Sequence, residues 1–268
     1  MDSRLKPFID KALSRRNFLA GAGSVAAAGL MTGCADNGVT TTTVTPTGTY
    51  TDLDILNFAL NLEYLEAQFY LYAATGKGLT SANTSAPTGY TGPYTMGSVT
   101  VGSAAMVAGT STAQQQIINE IANEEQEHVQ FLRSALSSNA VPMPSIDLSF
   151  FGPLALALTP AVSGFNPFSS FDYFLVGAFV FEDVGVTAYA GAAPLISAAG
   201  VTSGYLNYAA GILAVEAYHA AYIRTALTSR AIAAGATTPT STAYPYLGVA
   251  KGGFFPSGTN SIFSTTTA

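Results

Sequence analysis

Apolar residues return at three- and four-residue steps in four stretches of the chain, which predicts four long helices. The first runs from Asp52 to about Gly76 and sets Leu56, Ala59, Leu60, Glu63, Ala67, Tyr70 and Ala74 on one face. The second runs from about Thr112 to Ser138, with Ile118, Ile121, Glu125, His128, Leu132 and Leu136 inward and Glu120, Glu124 and Glu127 turned away. Ser111 and Gln114 have the spacing of a capping box at its start. A third, about Phe171 to Ala193, is apolar nearly all round apart from Glu182 and Asp183. Two adjacent acids at its centre would be expensive in lipid, so a buried helix is favoured over a membrane span. The fourth, about Gly204 to Ser229, aligns Ala209, Ile212, Glu216, His219, Ile223 and Leu227.

Between these helices the pattern breaks down. Residues 76–110 are rich in Gly, Ser, Thr and Pro, and read as a structured loop or short hairpin over one end of the helices. Residues 139–170 carry Pro142, Pro144, Pro153, Pro160 and Pro167 and form a long crossover. The expected domain, residues 51–230, is thus all-α: a four-helix bundle with one long crossover and long irregular loops. Residues 231–268 read as an irregular coil tail, and residues 35–50 as a flexible Thr-rich tether.

The first 34 residues have the character of a targeting segment. Ser14-Arg15-Arg16-Asn17-Phe18-Leu19 resembles a twin-arginine export signal, and a Gly/Ala-rich apolar run follows, too short to span a bilayer comfortably. The run ends in Leu30-Met31-Thr32-Gly33-Cys34, which resembles a lipoprotein cleavage box with Met31 where Leu, Val or Ile is preferred. Two outcomes are open: a lipid anchor to the membrane through Cys34, or plain cleavage and release. Either gives an exported protein, periplasmic or on the cell surface.

Composition narrows the chemistry. Charged residues make up 10% of the 268, well below the usual quarter, so acids inside apolar stripes call for a reason. Five of the ten basic residues lie in the first sixteen positions, which leaves an acidic remainder and no basic patch for nucleic acid. A single cysteine cannot assemble a disulfide framework or a thiolate metal site.

The chemistry lies in a repeat. The chain has two histidines, and each follows a glutamate by three positions: EQEHVQFLRSAL (125–136) and EAYHAAYIRTAL (216–227). On a helix that spacing turns a carboxylate and an imidazole to the same side. The other two helices match each other too, since Glu63 and Glu182 are each followed seven residues later by a tyrosine, Tyr70 and Tyr189. The order Glu, Glu-x-x-His, Glu, Glu-x-x-His on four helices is the ligand pattern of di-iron and di-manganese carboxylate bundles. Four buried carboxylates would be prohibitive alone, whereas two divalent cations balance them and neutral imidazoles add no charge. Oxygen-rich, imidazole-capped sites suit Fe or Mn better than structural zinc. Two Fe ions are therefore expected, with two Mn ions as the alternative.

The segments LNLEYLEAQFY (60–70), EQEHVQFLR (125–133), FEDVGVTAYAGAAPL (181–195) and VEAYHAAYIR (215–224) resemble the ferritin-like superfamily, and within it the exported ferritin-like domain proteins that include the desiccation-related proteins. The resemblance covers about residues 51–230 and implies that Glu125 and Glu216 bridge two metals. Glu63 with His128 would cap one ion, and Glu182 with His219 the other. Glu66 has several readings: the true ligand of the first helix, an extra carboxylate that moves onto a metal with redox state, a base beside the ligands, or an acid paired with arginine. Tyr70 and Tyr189 are core residues whose hydroxyls bond ligands, or redox-active tyrosines. Asp183 either orients a histidine or faces solvent, and Arg133 and Arg224 are structural ion-pair partners. The implied function is that of an exported dinuclear Fe or Mn protein reacting with dioxygen or peroxide under oxidative or desiccation stress. As an enzyme it would be an oxidase, peroxidase or catalase-like scavenger; the alternative is a non-enzymatic stress or metal-binding protein that keeps the fold.

Overall fold

The computed structural model describes residues 50–102, 105–149, 151 and 165–233, with side chains as far as 230. The export segment with Cys34, the tether up to residue 49 and the C-terminal tail from residue 231 lie outside the side chains so described.

Four long helices dominate: α1 (Asp52–Thr75), α3 (Thr112–Leu136), α4 (Phe171–Ala192) and α6 (Tyr205–Ala233). Two short helices, α2 (Ser81–Thr84) and α5 (Ala198–Thr202), lie in the connections. The long helices begin where the local sequence can satisfy free backbone N–H groups. Thr51 with Asp54 and Ser111 with Gln114 form capping boxes at α1 and α3, and the Ser170 side chain accepts from the Tyr173 N–H at α4. Gly76, in the left-handed conformation at φ 69°, ends α1.

The helices are arranged as two antiparallel-repeat pairs, α1 along α3 and α4 along α6, with α1 also touching α4. Every inward position expected on α3 and α6 is buried, and so are those of α1 apart from the half-buried Ala59. α4 followed by its terminal turn, Phe171–Leu195, is the one helix among the described residues long and apolar enough to cross a membrane; 61% of its apolar window is buried within the protein.

The long connections supply core as well as cover. Met143, Leu148, Phe151, Phe165 and Phe168 of the crossover are buried. Phe69 gathers several of these aromatics, stacking on Phe174 with centroids 5.7 Å apart and meeting Phe168 at 5.5 Å and Phe151 at 6.0 Å. No room is left beside this cluster at Gly177, where a Cβ would come within 3.1 Å of both Phe69 and Pro167. The 76–110 segment is a structured loop, but it is not a hairpin. Its strand β1 (Val99–Thr100) pairs in parallel with β2 (Ile146–Asp147) of the crossover.

Candidate metal centre

Helical spacing carries the six predicted residues to one place. Glu63, Glu125, Glu182, Glu216 and His219 have at most 1% of their surface exposed, and His128 has 7%. His128 presents Nδ1 to Glu63 Oε2 at 3.2 Å, Glu125 Oε2 at 3.3 Å and Glu216 Oε1 at 3.6 Å. His219 presents its own Nδ1 to Glu125 Oε1 at 3.1 Å and Glu182 Oε2 at 3.3 Å. Two groups of candidate ligand atoms result, each within 4.8 Å of one another: Glu63, Glu125, His128 and Glu216, and Glu125, Glu182 and His219. Glu125 belongs to both, one oxygen towards each imidazole. Glu216 sits with the His128 group.

The tyrosines cross between the halves. Tyr70 of α1 donates to Glu182 of α4, and Tyr189 of α4 donates to Glu63 of α1. Each hydroxyl fixes one oxygen of a carboxylate and leaves the other facing a histidine.

Glu66 is also buried, at 2% exposure, and falls in neither ligand group. Its counterpart in the repeat is Gly185, and that exchange has a steric reason: a Cβ at 185 would lie 2.0 Å from Glu216 Oε2. The reading of Glu66 as an acid paired with arginine fails. The charged groups acting on it are Glu63, Glu125 and Glu182.

Three expectations need correction. Asp183 neither faces solvent nor orients a histidine; it is 3% exposed and pairs with Arg224 through both guanidinium Nε, at 3.2 Å, and a terminal nitrogen. Arg224 is thus an ion-pair partner, whereas Arg133 is held differently, donating to the Tyr64 hydroxyl and to the Ser85 carbonyl at 2.7 Å. Glu124 is not turned away: its carboxylate lies 2.6 Å from His219 Nε2. It is placed to accept from Nε2–H, which holds the ring with Nδ1 towards the glutamates. A sequence signal for this role was present, because the repeat breaks there: the residue before Glu125 is Glu124, but the one before Glu216 is Val215.

Electrostatics of the cluster are those of too many acids in too little water. Burial raises Glu63 and Glu182 to about 7, against the lowering effect of His128 and His219. Glu66 and Glu216 are pushed well above the usual carboxylate range by burial and by the other glutamates. Glu125 alone goes down, to about 2, because the imidazoles on either side outweigh its burial. Both histidines go up, to about 10 and about 11, since the facing carboxylates outweigh desolvation. Even so, Glu66 Oε2 and both Glu216 oxygens have no hydrogen-bond partner, and Glu125 Oε1 and Glu182 Oε2 face His219 Nδ1 at 3.1 and 3.3 Å without hydrogen-bond alignment. Buried polar atoms are seldom left in that state. Carboxylate oxygens and imidazole nitrogens converging in this way could hold a metal ion, and the donor set suits first-row transition metals.

Comparison with known proteins agrees with this architecture. The family model described as a ferritin-like domain matches residues 51–229. The chain is 34% identical over 184 residues to the desiccation-related protein PCC13-62 of Craterostigma plantagineum, covering 67% of this chain and 54% of that protein. It is 28% identical over 181 residues to the ferritin-like catalase Nec2 of Nesocodon mauritianus, with the same two coverages. The match thus spans about half the length of these curated relatives. No solved structure matches the chain at comparable stringency. An all-helical domain, the paired Glu-x-x-His units and the family match lead to one assignment: the chain belongs to the ferritin-like family.

Proposed function

We propose that this is an exported metalloprotein whose buried cluster holds two Fe or Mn ions and disproportionates hydrogen peroxide, two H2O2 giving two H2O and one O2. The observation that carries this reading is Glu125, whose two oxygens face two imidazoles at 3.3 and 3.1 Å while its charge is retained. A carboxylate so placed is suited to lie between two ions. Glu63 and His128 would hold one of them, Glu182 and His219 the other, with Glu216 completing the set. When bound, such a pair supplies a two-electron reservoir at a Lewis-acidic site.

The protein's own residues prepare that site. Tyr70 and Tyr189 hold Glu182 and Glu63 in place, and Glu124 holds His219. Glu66, buried beside the ligand carboxylates but in neither ligand group, is suited to keep a proton beside the reacting oxygen atoms. Bulk water is excluded from all but the edge of His128. Support for peroxide as substrate comes from the likeness to a ferritin-like catalase.

Export by the twin-arginine route, with or without a lipid on Cys34, is part of the same proposal and rests on the sequence. A second reading, a stress protein that binds metal without turnover, draws on the higher identity to a desiccation-related protein. One experiment separates them. Elemental analysis should give two metals per chain, and oxygen evolution from added peroxide should scale with metal content. Two metals without oxygen evolution would favour the second reading, and no stoichiometric metal would exclude both.

A further inference from the structure

The duplicated units correspond residue for residue in sequence at the cluster: Glu63 with Glu182, Tyr70 with Tyr189, Glu125 with Glu216, His128 with His219. Where the match fails, the two halves acquire different surroundings. Glu124 corresponds to Val215, and Glu66 to Gly185.

The first of these breaks separates the histidines. His219 is fully buried, with Nδ1 towards the glutamates and Nε2 held at 2.6 Å by Glu124. His128 also turns Nδ1 to the glutamates, but the residue occupying the position equivalent to Glu124 is the apolar Val215. Val215 and His128 instead line a surface depression of about 590 Å³, together with Glu124, Glu127, Gln130 and Phe131. The depression lies along the seam between α3 and α6. Side chains span that seam: Tyr218 donates to Glu120 at 2.9 Å, and Phe131 meets Tyr208 edge-on at 4.9 Å. His128, 7% exposed, is therefore the most accessible of the six candidate ligands and the one that lines this depression.

We infer that the two ion positions are inequivalent: the Glu182/His219 position is closed and tight, and the Glu63/His128 position is weaker, exchangeable and reached through the depression between α3 and α6. This rests on the dinuclear reading above and deepens it. The physical basis is the partner of the outer imidazole nitrogen. A carboxylate there fixes the ring and makes the inner nitrogen a better donor, and its loss typically lowers metal affinity about 10- to 100-fold. Among the described residues His219 alone has a carboxylate there, so the ion beside it should bind first and leave last. Glu124 acts through His219 and is a positioning residue.

Calorimetric titration of the metal-free full chain with Mn(II) tests this without reference to turnover. Two binding steps are expected, separated by about 10-fold or more. His219→Ala should remove the tighter step and His128→Ala the weaker one. Glu124→Val should weaken the tighter step about 10- to 100-fold while two ions still bind at saturation. Glu124→Gln, which keeps shape and an acceptor, should restore part of the loss and guards against a folding defect in the valine variant. Two ions bound in one class of equal affinity, or a Glu124→Val effect shared equally by both steps, would overturn the inequivalence and leave the dinuclear reading standing. Absence of stoichiometric binding in the unaltered protein would overturn both.

Discussion

The Tyr189 hydroxyl donates its hydrogen bond to Glu63, 126 positions earlier in the chain, and Tyr70 returns the arrangement by donating to Glu182. Each half of the repeat thus steadies a carboxylate of the other. Tyr189→Phe or Tyr70→Phe removes one donor and leaves a buried oxygen unpartnered, at about 1–3 kcal/mol. Because the two bonds hold different glutamates, the double variant should lose the sum of the single losses. Chemical denaturation of the metal-free protein measures this, and a double variant no worse than either single one would contradict the reciprocal arrangement.

The raised carboxylates give the metal-free protein an unusual pH profile. Glu63 and Glu182 titrate at about 7 when folded against an ordinary 4.5, so the stability they contribute is full below about 4.5 and lost as pH climbs to 7. His128 and His219, raised from 6.5 to about 10 and 11, contribute fully below 6.5 and lose that contribution as pH rises towards those values. Glu125 runs the other way: lowered to about 2, its contribution is present above 4.5 and lost as pH falls towards 2. Metal-free protein should therefore be most stable near pH 5 and weaken steadily to pH 8 and beyond. Bound metal displaces those protons, so metal affinity should rise over the same range. Denaturation curves with and without chelator from pH 4 to pH 9 check both slopes, and a flat metal-free curve between 5 and 8 would refute the profile.

Two glycines should respond to alanine in opposite senses. At Gly185 the new Cβ would meet Glu216 Oε2 at 2.0 Å inside the cluster, so Gly185→Ala should cost about 1–3 kcal/mol and disturb metal binding. At Gly211, inside α6 and exposed, a Cβ meets nothing within 4 Å, so Gly211→Ala should stabilise by about 0.5–1 kcal/mol. Thermal melts of the two variants give the signs directly.

Asp183→Ala removes a buried carboxylate from the Arg224 guanidinium, which lies 4.7 Å from the Phe179 ring centroid. Loss of one partner of such a pair costs about 3–5 kcal/mol. Metal stoichiometry should be kept where the variant folds, which distinguishes this structural pair from the ligand cluster one residue away.

Periodicity made the long helices legible, and helix termini followed from Ser111, Gln114 and Gly76. The site was legible because its residues recur: two histidines in one register, each three residues after a glutamate, are visible without coordinates. Asp183 was misread because its partner, Arg224, lies 41 residues away on α6, beyond any local pattern. Glu124 was misread because a helical wheel sorts residues by direction within their own helix. The carboxylate reaches His219 across the seam to α6, 95 residues on, from the edge of the polar face. The parallel pairing of β1 with β2 left no trace in sequence either, being only two residues long on each side.

That short pairing governs how α3 comes apart. Val99–Thr100 precedes the helix and Ile146–Asp147 follows it, so the backbone bonds between them close a loop of chain that contains α3. Because this clasp ties the two ends of that segment together, the helix bearing Glu124, Glu125 and His128 gains less freedom on local unfolding. Its terminal amides should therefore exchange with solvent more slowly than those at the last turn of α6, and should do so as one cooperative unit.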